Sequence, residues 1–218
     1  NDHIKKLEDL ERYDNWPNFY RIDGKVSWGQ VDYDSQGTGS LDGVDDTMAE
    51  MRAVAGYDLP IFKNIEFAPY VGAGYRYLFD DLRGVTTTGA IGFRREANYV
   101  YAPIGFDIEQ RLKRGWSLGV NLEYDYLFYG RQRSKLGDVD PGLNTVTNRQ
   151  RDGFGLRGSF KIINVSDMWD FYFEPFVRYW NINDSDTSLI IFNGTPIGLG
   201  QEPTNNSTEY GFKVGARF

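Results

Sequence analysis

The sequence predicts an all-β protein: an eight-stranded antiparallel up-and-down transmembrane β-barrel with a short N-terminal helix or tail. Three observations predict this fold, namely a hydrophobic share of only 40%, an aromatic share of 16%, and 25 glycines without a single cysteine in 218 residues. Disordered chains are poor in aromatic residues, and a membrane-spanning helix needs a long apolar run that this chain lacks. A membrane barrel explains the combination, because half of each strand faces lipid and half faces a polar lumen.

Eight segments alternate apolar and polar residues with the period of two that a half-buried strand requires. In the clearest segment, every second residue from Trp116 to Phe128 is apolar, while Glu123 and Asp125 lie on the opposite face. The other seven apolar faces are predicted within residues 20–28, 49–59, 67–77, 100–108, 154–162, 169–179 and 210–218. None of these faces carries a charge, as expected where a charge in lipid costs about 2–4 kcal/mol.

The connections between these segments differ in length at the two ends of the predicted sheet. Short turns are expected at residues 60–64, 111–115 and 163–168, and long loops at 33–47, 78–98, 129–149 and 181–208. Short turns at one end and long loops at the other are typical of outer-membrane barrels. The alternative is a soluble β-sandwich or lipocalin-like barrel with the apolar faces turned inward. We favour the membrane barrel, with both termini at the short-turn end in the periplasm.

Aromatic residues cluster near both ends of the predicted strands, as in the two interfacial girdles of a membrane barrel. The girdle at the short-turn end comprises Trp16, Phe62, Trp116, Trp169 and Phe218, and that at the long-loop end Trp28, Tyr75, Tyr77, Tyr126, Phe128 and Tyr179. The clustering therefore supports strands that cross a bilayer.

Residues 1–16 differ from the predicted barrel of residues 17–218. Ile4, Leu7 and Leu10 recur at helical spacing in a charged background, which predicts a short amphipathic helix or a tail. We expect a periplasmic leader, either an ordinary one or one that acts as an interfacial anchor or partial plug. A signal peptide is expected to have been removed before Asn1.

The last predicted strand, from Tyr210 to Phe218, resembles the C-terminal signature of bacterial outer-membrane proteins, with alternating apolar residues and a terminal aromatic residue. The resemblance implies recognition by the barrel assembly machinery through Tyr210, Phe212, Val214 and Phe218. Residues 17–218 also resemble the small eight-stranded barrels of the OmpA, OmpX and opacity-protein type. That resemblance implies a location in the bacterial outer membrane.

The faces opposite the apolar ones carry nearly balanced acidic and basic residues. An eight-stranded bore is just wide enough for side chains to fill, and unpaired buried charges are costly. The sequence therefore predicts a lumen network of ion pairs among Arg52, Arg76, Arg157, Arg178, Glu50, Glu66, Glu123 and Glu174. Such a network favours a structural lumen over a wide channel.

Enzymatic and metal-dependent functions find little support in the sequence. Outer-membrane barrel enzymes such as lipid A acyltransferases and omptin-type proteases resemble this chain in fold, but they use a histidine base, and the single histidine here is His3. The acidic cluster around Asp42, Asp45 and Asp46 is expected to be a solvated loop rather than a calcium site. We predict no catalytic residue, no cofactor and no metal site. The net charge of −7 disfavours nucleic acid as a partner.

The third long connection is basic, with Arg131, Arg133 and Lys135 followed by Arg149 and Arg151. Guanidinium and ammonium groups near the membrane surface bind lipid phosphates, which predicts contact with lipopolysaccharide. The sequence thus predicts a monomeric, non-enzymatic outer-membrane surface barrel whose long extracellular loops contact the environment, host molecules or lipopolysaccharide. The alternatives are a passive narrow channel for ions or small solutes and an accessory subunit of an envelope assembly.

Overall fold

The computed structural model describes residues 17–35, 37–166 and 168–217, and these residues are almost entirely β-structure. The predicted leader, residues 1–16, lies outside the described residues. The described residues form twelve strands, in chain order β1 Phe19–Ser35, β2 Gly39–Gly56, β3 Leu59–Phe62, β4 Ile65–Asp81, β5 Arg94–Arg111, β6 Trp116–Lys135, β7 Thr145–Gln150, β8 Gly153–Asn164, β9 Asp170–Ile182, β10 Thr187–Phe192, β11 Thr195–Gln201 and β12 Asn205–Arg217. A single 3-10 turn, Leu136–Asp138, follows β6. In the described part of the chain, no helix is long and apolar enough to cross a membrane.

Ten of the described strands form one antiparallel sheet, in which each of eight long strands pairs with the next long strand along the chain. The order is β1-β2-β4-β5-β6-β8-β9-β12, which confirms the predicted up-and-down arrangement of eight long strands. The short strand β3 pairs with β4 and β7 pairs with β6, while β10 and β11 form a separate hairpin. Only β3 and β7 therefore extend the main sheet among the described strands, β3 at one end of the long strands and β7 at the other.

The apolar and the charged residues lie on the outer and the inner face of the sheet, respectively, as the sequence predicts. Apolar residues cover the outer face, where Ile22 is 70% and Met51 59% exposed. Charged residues fill the inner face, where Glu50 and Arg157 are each 8% exposed and Asp125 is fully buried. A soluble sandwich has the opposite arrangement, because its apolar residues form the core. This distribution is that of a protein whose outside meets lipid.

The long connections predicted from the sequence are wrong in their extent. β1 continues to Ser35 and β2 begins at Gly39, so residues 33–47 form mostly strand rather than loop. Likewise β6 continues to Lys135 and β7 follows it within residues 129–149, and β10 and β11 occupy much of residues 181–208. In the region of residues 78–98, β4 continues to Asp81 and β5 begins at Arg94. Beyond the membrane both faces of a strand meet water, so the ladder continues after the alternation of apolar and polar residues ends.

The end of the sheet with the tight connections at residues 112–115 and 165–169 is called the short-turn end, and the opposite end the long-loop end. The third connection at the short-turn end contains β3, so Pro60 and Phe62 lie in a strand where a turn was expected. β1 begins and β12 ends at the short-turn end, beside the loops around Asn64 and Val165. The long connections between the strands of the main path are thus at the long-loop end, in residues 82–93, 136–152 and 183–204, and the last two of them contain β7, β10 and β11.

A β-bulge in β6 reverses the inward and outward faces of that strand. Tyr101 pairs with Leu127 whereas Val100 pairs with Tyr129, so Phe128 is the extra residue on β6. Phe128 and Tyr129 are both exposed as a result. An extra residue shifts every later side chain to the other face. Odd-numbered residues of β6 therefore point inward before the bulge and outward after it.

The first and last strands of the sheet, β1 and β12, approach each other along one seam. Within the described residues, no backbone pairing joins them. An ion pair between Lys25 Nζ on β1 and Glu209 Oε1 on β12 bridges the seam instead. Glu209 also lies 3.5 Å from Arg178 Nη1 on β9. The sheet therefore curls far enough for the inner side chains of its two edge strands to meet.

Candidate functional site

Arg157, on β8, lies at the centre of a cluster of buried charges inside the curled sheet. Its Nε atom donates to Asp125 Oδ2 at 2.6 Å and lies 3.1 Å from Glu123 Oε1, both on β6. Its Nη2 atom donates to Glu50 on β2. Three carboxylates thus surround one guanidinium. The name lumen layer is used below for these four residues together with Arg52, Tyr70 and Tyr101.

Tyr70, Tyr101 and Arg52 complete the lumen layer from three further positions. The Tyr101 hydroxyl donates to Glu50, and Arg157 Nη2 donates to that hydroxyl at 3.0 Å. The Tyr70 hydroxyl donates to Glu123 Oε2 at 2.7 Å. Arg52 pairs with Glu123 and donates through Nε to Asp23 Oδ2 at 3.0 Å. Each buried carboxylate therefore has a cationic or hydroxyl donor, as the cost of an unpaired buried charge requires.

Two buried polar atoms next to the layer have no hydrogen-bond partner among the described residues, namely Asp125 Oδ1 and Arg76 Nε. The Arg76 guanidinium lies 5.3 Å from the Trp180 ring centre, and that of Arg157 lies 5.9 Å from it. The face of an aromatic ring attracts cations electrostatically. Trp180 therefore stabilises the positive charges of Arg76 and Arg157 in addition to the carboxylates.

An apolar cluster covers the lumen layer toward the long-loop end. Its members are the buried residues Ala97, Tyr99, Tyr101, Leu127, Trp180 and Ile182, with Leu78 packed against them. The Tyr101 and Trp180 rings meet edge to face at a centroid distance of 5.1 Å. Because aromatic rings in this arrangement pack favourably, the cluster forms a dry lid on the charged layer.

A cavity of about 770 Å³ lies on the other side of the layer, toward the short-turn end. Ion pairs cross its wall, including Arg21 Nη1 with Asp107 Oδ2 at 2.9 Å and Lys213 Nζ with Glu174 Oε1 at 2.9 Å. Lys161 Nζ also lies 3.4 Å from Glu174. The short-turn half of the curled sheet therefore encloses a charged, water-accessible cavity, and the lumen layer forms the floor of that cavity.

The structure separates the residues predicted as one lumen network. It brings Glu50, Arg52, Glu123 and Arg157 together in the lumen layer. Arg178 and Glu174 lie in the cavity wall, where they contact Glu209 and the two lysines rather than each other.

The remaining two predicted members lie beside these groups, since Arg76 is the registered partner of Glu50 and Glu66 lines the cavity. Glu66 is half-buried in the cavity wall at the short-turn end and accepts a hydrogen bond from Arg111 at 2.7 Å. Arg76 lies against Trp180. Asp125 was expected on the inner face as a salt-bridge partner of Arg157, and the structure confirms that pair. Sequence reasoning did not include Tyr70 and Tyr101 in the network, although their alternation with outward apolar residues places them on the inner face.

The residues predicted to contact lipopolysaccharide lie in the part of β6 that follows the bulge. Arg131 is exposed, whereas Gln132 and Ser134 between the basic residues are buried. Lys135 Nζ pairs with Glu96 on β5, and Arg133 Nη1 lies 3.4 Å from the same carboxylate. These basic side chains therefore extend from the outer surface of a strand rather than from a loop.

The residues predicted to form the assembly signal lie on β12. Tyr210, Phe212 and Val214 are all exposed on the outer face, as the alternation predicts. Phe218 lies outside the described residues. For catalysis or metal binding, the described residues provide no group of three or more His, Cys, Asp or Glu side chains that could hold a metal ion.

An outer surface of apolar residues around a charged, side-chain-filled interior defines the class of the transmembrane β-barrels. Residues 12–175 match the family model of the autotransporter β-domain. The chain belongs to this family, which makes it a β-barrel of the bacterial outer membrane. The comparison with curated proteins gave no match. The resemblance to the OmpA, OmpX and opacity-protein type stays a prediction.

Proposed function

We propose that this protein is a non-enzymatic surface barrel whose lumen is closed and whose long-loop end contacts molecules outside the cell. In the proposed orientation, the long-loop end faces the outside of the cell and the short-turn end faces the periplasm. The observation that carries the proposal is the lumen layer, because its side chains cross the full width of the bore. A barrel without a passage acts through its surface.

The contacts of Arg157 and Arg52 join strands on opposite sides of the sheet. In the strand order, β8 is four places from β2, which is half of an eight-strand circuit, yet Arg157 pairs directly with Glu50. Arg52 on β2 likewise reaches Glu123 on β6, three places away. An open channel lined by charges requires water between such groups. Direct pairing across the diameter therefore supports a closed lumen.

The long-loop end is an ordered surface built from several strands. Arg94 Nη2 pairs with Asp138 Oδ1 at 2.6 Å, joining β5 to the turn after β6, and Arg95 pairs with Glu202 after β11. The β10–β11 hairpin is attached through Asn144, whose Oδ1 accepts from the Ile191 backbone at 2.8 Å. A surface fixed in this way meets a partner at a low entropic cost.

The buried ionisable groups support a structural rather than an enzymatic role. Glu50, Glu123 and Asp125 all bind Arg157, so their charges are used within the lumen layer. Catalytic acids and bases need access to a substrate at hydrogen-bonding distance. The Glu123 and Asp125 side chains are fully buried, and Glu50, which lines the cavity, is held by Arg157 and Tyr101.

Conductance in planar bilayers tests the closed lumen. We expect the parent protein to conduct little, and the double variant Arg52→Ala/Arg157→Ala to conduct measurably more because it removes both cations that span the bore. Arg111→Ala is the matched control, since Arg111 pairs with Glu66 on the exposed short-turn end. A large, stable conductance in the parent would favour the alternative function, a passive channel.

The orientation is tested by cysteine labelling, for which the cysteine-free chain is suited. Ile197→Cys introduces a thiol on exposed β11 at the long-loop end, and Lys63→Cys introduces one in a short turn. A membrane-impermeant maleimide should label the first variant on intact cells and the second only after the outer membrane is broken. The reverse result would contradict the proposed orientation.

The passive channel remains the second candidate because of the cavity of about 770 Å³. The cavity already provides a polar path through the short-turn half of the barrel. A small displacement of the lumen layer would then extend the path, and the conductance measurement decides between the two functions.

A further inference from the structure

Arg131 and Arg149 face each other across the β6–β7 ladder on the outer face of the sheet. They are a registered antiparallel pair, and both are exposed. The bulge at Phe128 is what turns Arg131 outward, since the odd-numbered residues Glu123 and Asp125 before it point into the lumen. Like charges directly opposite each other on a sheet are destabilising unless an anion is shared between them.

Neither guanidinium has an acidic side chain as a partner in the described part of the chain. The nearby basic residues differ in this respect, since Arg133 and Lys135 share Glu96, and Arg94 is bound by Asp138. Asp186 approaches Arg149, but its Oδ1 accepts from the Arg149 backbone N–H at 2.6 Å. The two side chains thus present a pair of fork-shaped donors without a protein carboxylate between them.

The position of the pair along the barrel matches the level of lipid headgroups. One row toward the short-turn end, the outward residues Tyr75, Val100 and Tyr129 lie side by side on β4, β5 and β6. Tyr129 and the neighbouring Phe128 are exposed aromatic side chains of the kind that mark the membrane interface. The arginine pair lies one row beyond Tyr129 and level with Tyr77, at the outer edge of the aromatic belt.

The opposite side of the barrel offers neutral side chains at the corresponding place. Beyond Tyr179 on β9, the next outward residue is Asn181, which pairs with Asn206 on β12. Amide groups bind phosphate less strongly than guanidinium groups do. The exposed arginine pair thus has no counterpart at this position on β9 and β12.

We propose that Arg131 and Arg149 together bind a lipid A phosphate of lipopolysaccharide in the outer leaflet. The inference rests on the proposed orientation, which puts the long-loop end outside the cell. Guanidinium groups bind phosphate through two parallel hydrogen bonds, and an anion held between both arginines removes their mutual repulsion. Phe128 and Tyr129 then contact the acyl chains below the bound phosphate.

The test compares binding of detergent-solubilised lipopolysaccharide that carries both lipid A phosphates with binding of the same material after enzymatic dephosphorylation. We expect the purified parent protein to bind the phosphorylated form, and Arg131→Gln/Arg149→Gln to bind it about tenfold or more weakly, because two charge-assisted donors are lost. Arg131→Lys/Arg149→Lys keeps both charges and should retain part of the affinity. Arg133→Gln is the control on the same strand, since Arg133 already has Glu96 as a partner.

Three results would overturn the proposal: equal binding by the Gln/Gln variant and the parent, equal binding of the two lipid forms, or full competition by millimolar inorganic phosphate. The last result would identify a site for free phosphate rather than for lipid. Unchanged heat-modifiable migration of each variant on gels establishes that its barrel is intact. Failure of the orientation appears separately, as absent cell-surface labelling of Ile197→Cys with binding in detergent unaffected.

Discussion

Tyr101 lies directly over Gly74, its registered partner on the neighbouring strand β4. A Cβ atom at residue 74 would come within 2.2 Å of Tyr101 Cζ. Glycine is therefore required beneath the ring whose hydroxyl binds Glu50 and Arg157 in the lumen layer. The lumen layer thus depends on a residue that carries no side chain of its own.

We expect Gly74→Ala to destabilise the barrel by about 1–3 kcal/mol, the usual cost of overpacking a well-packed site. The added methyl group displaces Tyr101 and with it the hydrogen bonds to Glu50 and Arg157. Urea unfolding in detergent measures the change. Gly158→Ala is the matched control, because a Cβ atom there comes no closer than 3.6 Å to Leu122 Cδ2. Equal destabilisation by both variants would contradict the packing argument.

Arg157→Met should be far more costly than the same change at Arg111. Loss of the Arg157 guanidinium removes the cation that binds Asp125 and Glu50 and leaves Glu123 with Arg52 alone, at an expected cost of about 3–5 kcal/mol. Arg111 forms an ion pair with Glu66 in which the side chains are 67% and 44% exposed, so its loss should cost about 1 kcal/mol or less. The free energy of unfolding of each variant checks this, and similar values for the two would show that the lumen layer adds no stability.

A double-mutant cycle between Lys25 and Glu209 tests the seam between β1 and β12. We expect Lys25→Met and Glu209→Gln to be coupled by about 0.2–1 kcal/mol, the range for a partly exposed ion pair. Unfolding midpoints of the parent, both single variants and the double variant supply the coupling energy. Strictly additive effects would mean that this ion pair does not hold the seam together.

Asp80, on the inner face of β4 beyond the aromatic belt, gives stability a dependence on pH. Burial raises the pKa of Asp80 to about 6, a hydrogen bond with Asp46 acts in the same direction, and Arg95 opposes it. The folded protein therefore keeps a proton that the unfolded chain releases near pH 4, so stability should fall as pH rises from about 4 to about 6 and stay level above that. Asp80→Asn should flatten this part of the profile.

Asp81→Asn is the control for this experiment. Hydrogen bonds from Arg83 hold the pKa of Asp81 below its usual range, so that carboxylate contributes stability that is lost only as pH falls below about 4. The slope between about pH 4 and 6 should survive in Asp81→Asn. Thermal unfolding across this range measures both variants, and a slope that persists in Asp80→Asn would assign the dependence to another group.

The strands and their outward faces could be predicted from the sequence because the cost of charge in lipid is imposed residue by residue. Ile22, Met51 and Phe212 are outward for the same reason that Glu50 and Arg157 are inward, and the alternation records this directly. The extent of the strands could not be predicted. Outside the membrane that penalty vanishes, so residues 129–135 continue β6 with no apolar pattern to mark them.

The pairing of individual side chains within the lumen and the outward direction of Arg131 could not be predicted from the sequence pattern either. Which carboxylate meets Arg157 depends on the register of β2 and β6, and a period of two gives the face but not the register. The bulge at Phe128 adds one residue to β6 without a glycine or proline at that position to signal it. Its effect on Arg131 is visible only once the pairing of Val100 and Tyr101 is known.

The contacts of Arg157 also constrain the order in which the barrel folds and inserts into the membrane. Glu50, Glu123 and Asp125 all precede Arg157 in the chain, and the hydrogen bond to Glu50 closes a loop of 107 residues. Until β8 is in place, the guanidinium that binds Asp125 and Glu50 is missing, so the hydration of these two carboxylates opposes transfer of the sheet into lipid. Neutralisation of the interior and curling of the sheet must then occur together, so a nascent chain that stops after β6 should remain outside the bilayer rather than insert as a partial barrel.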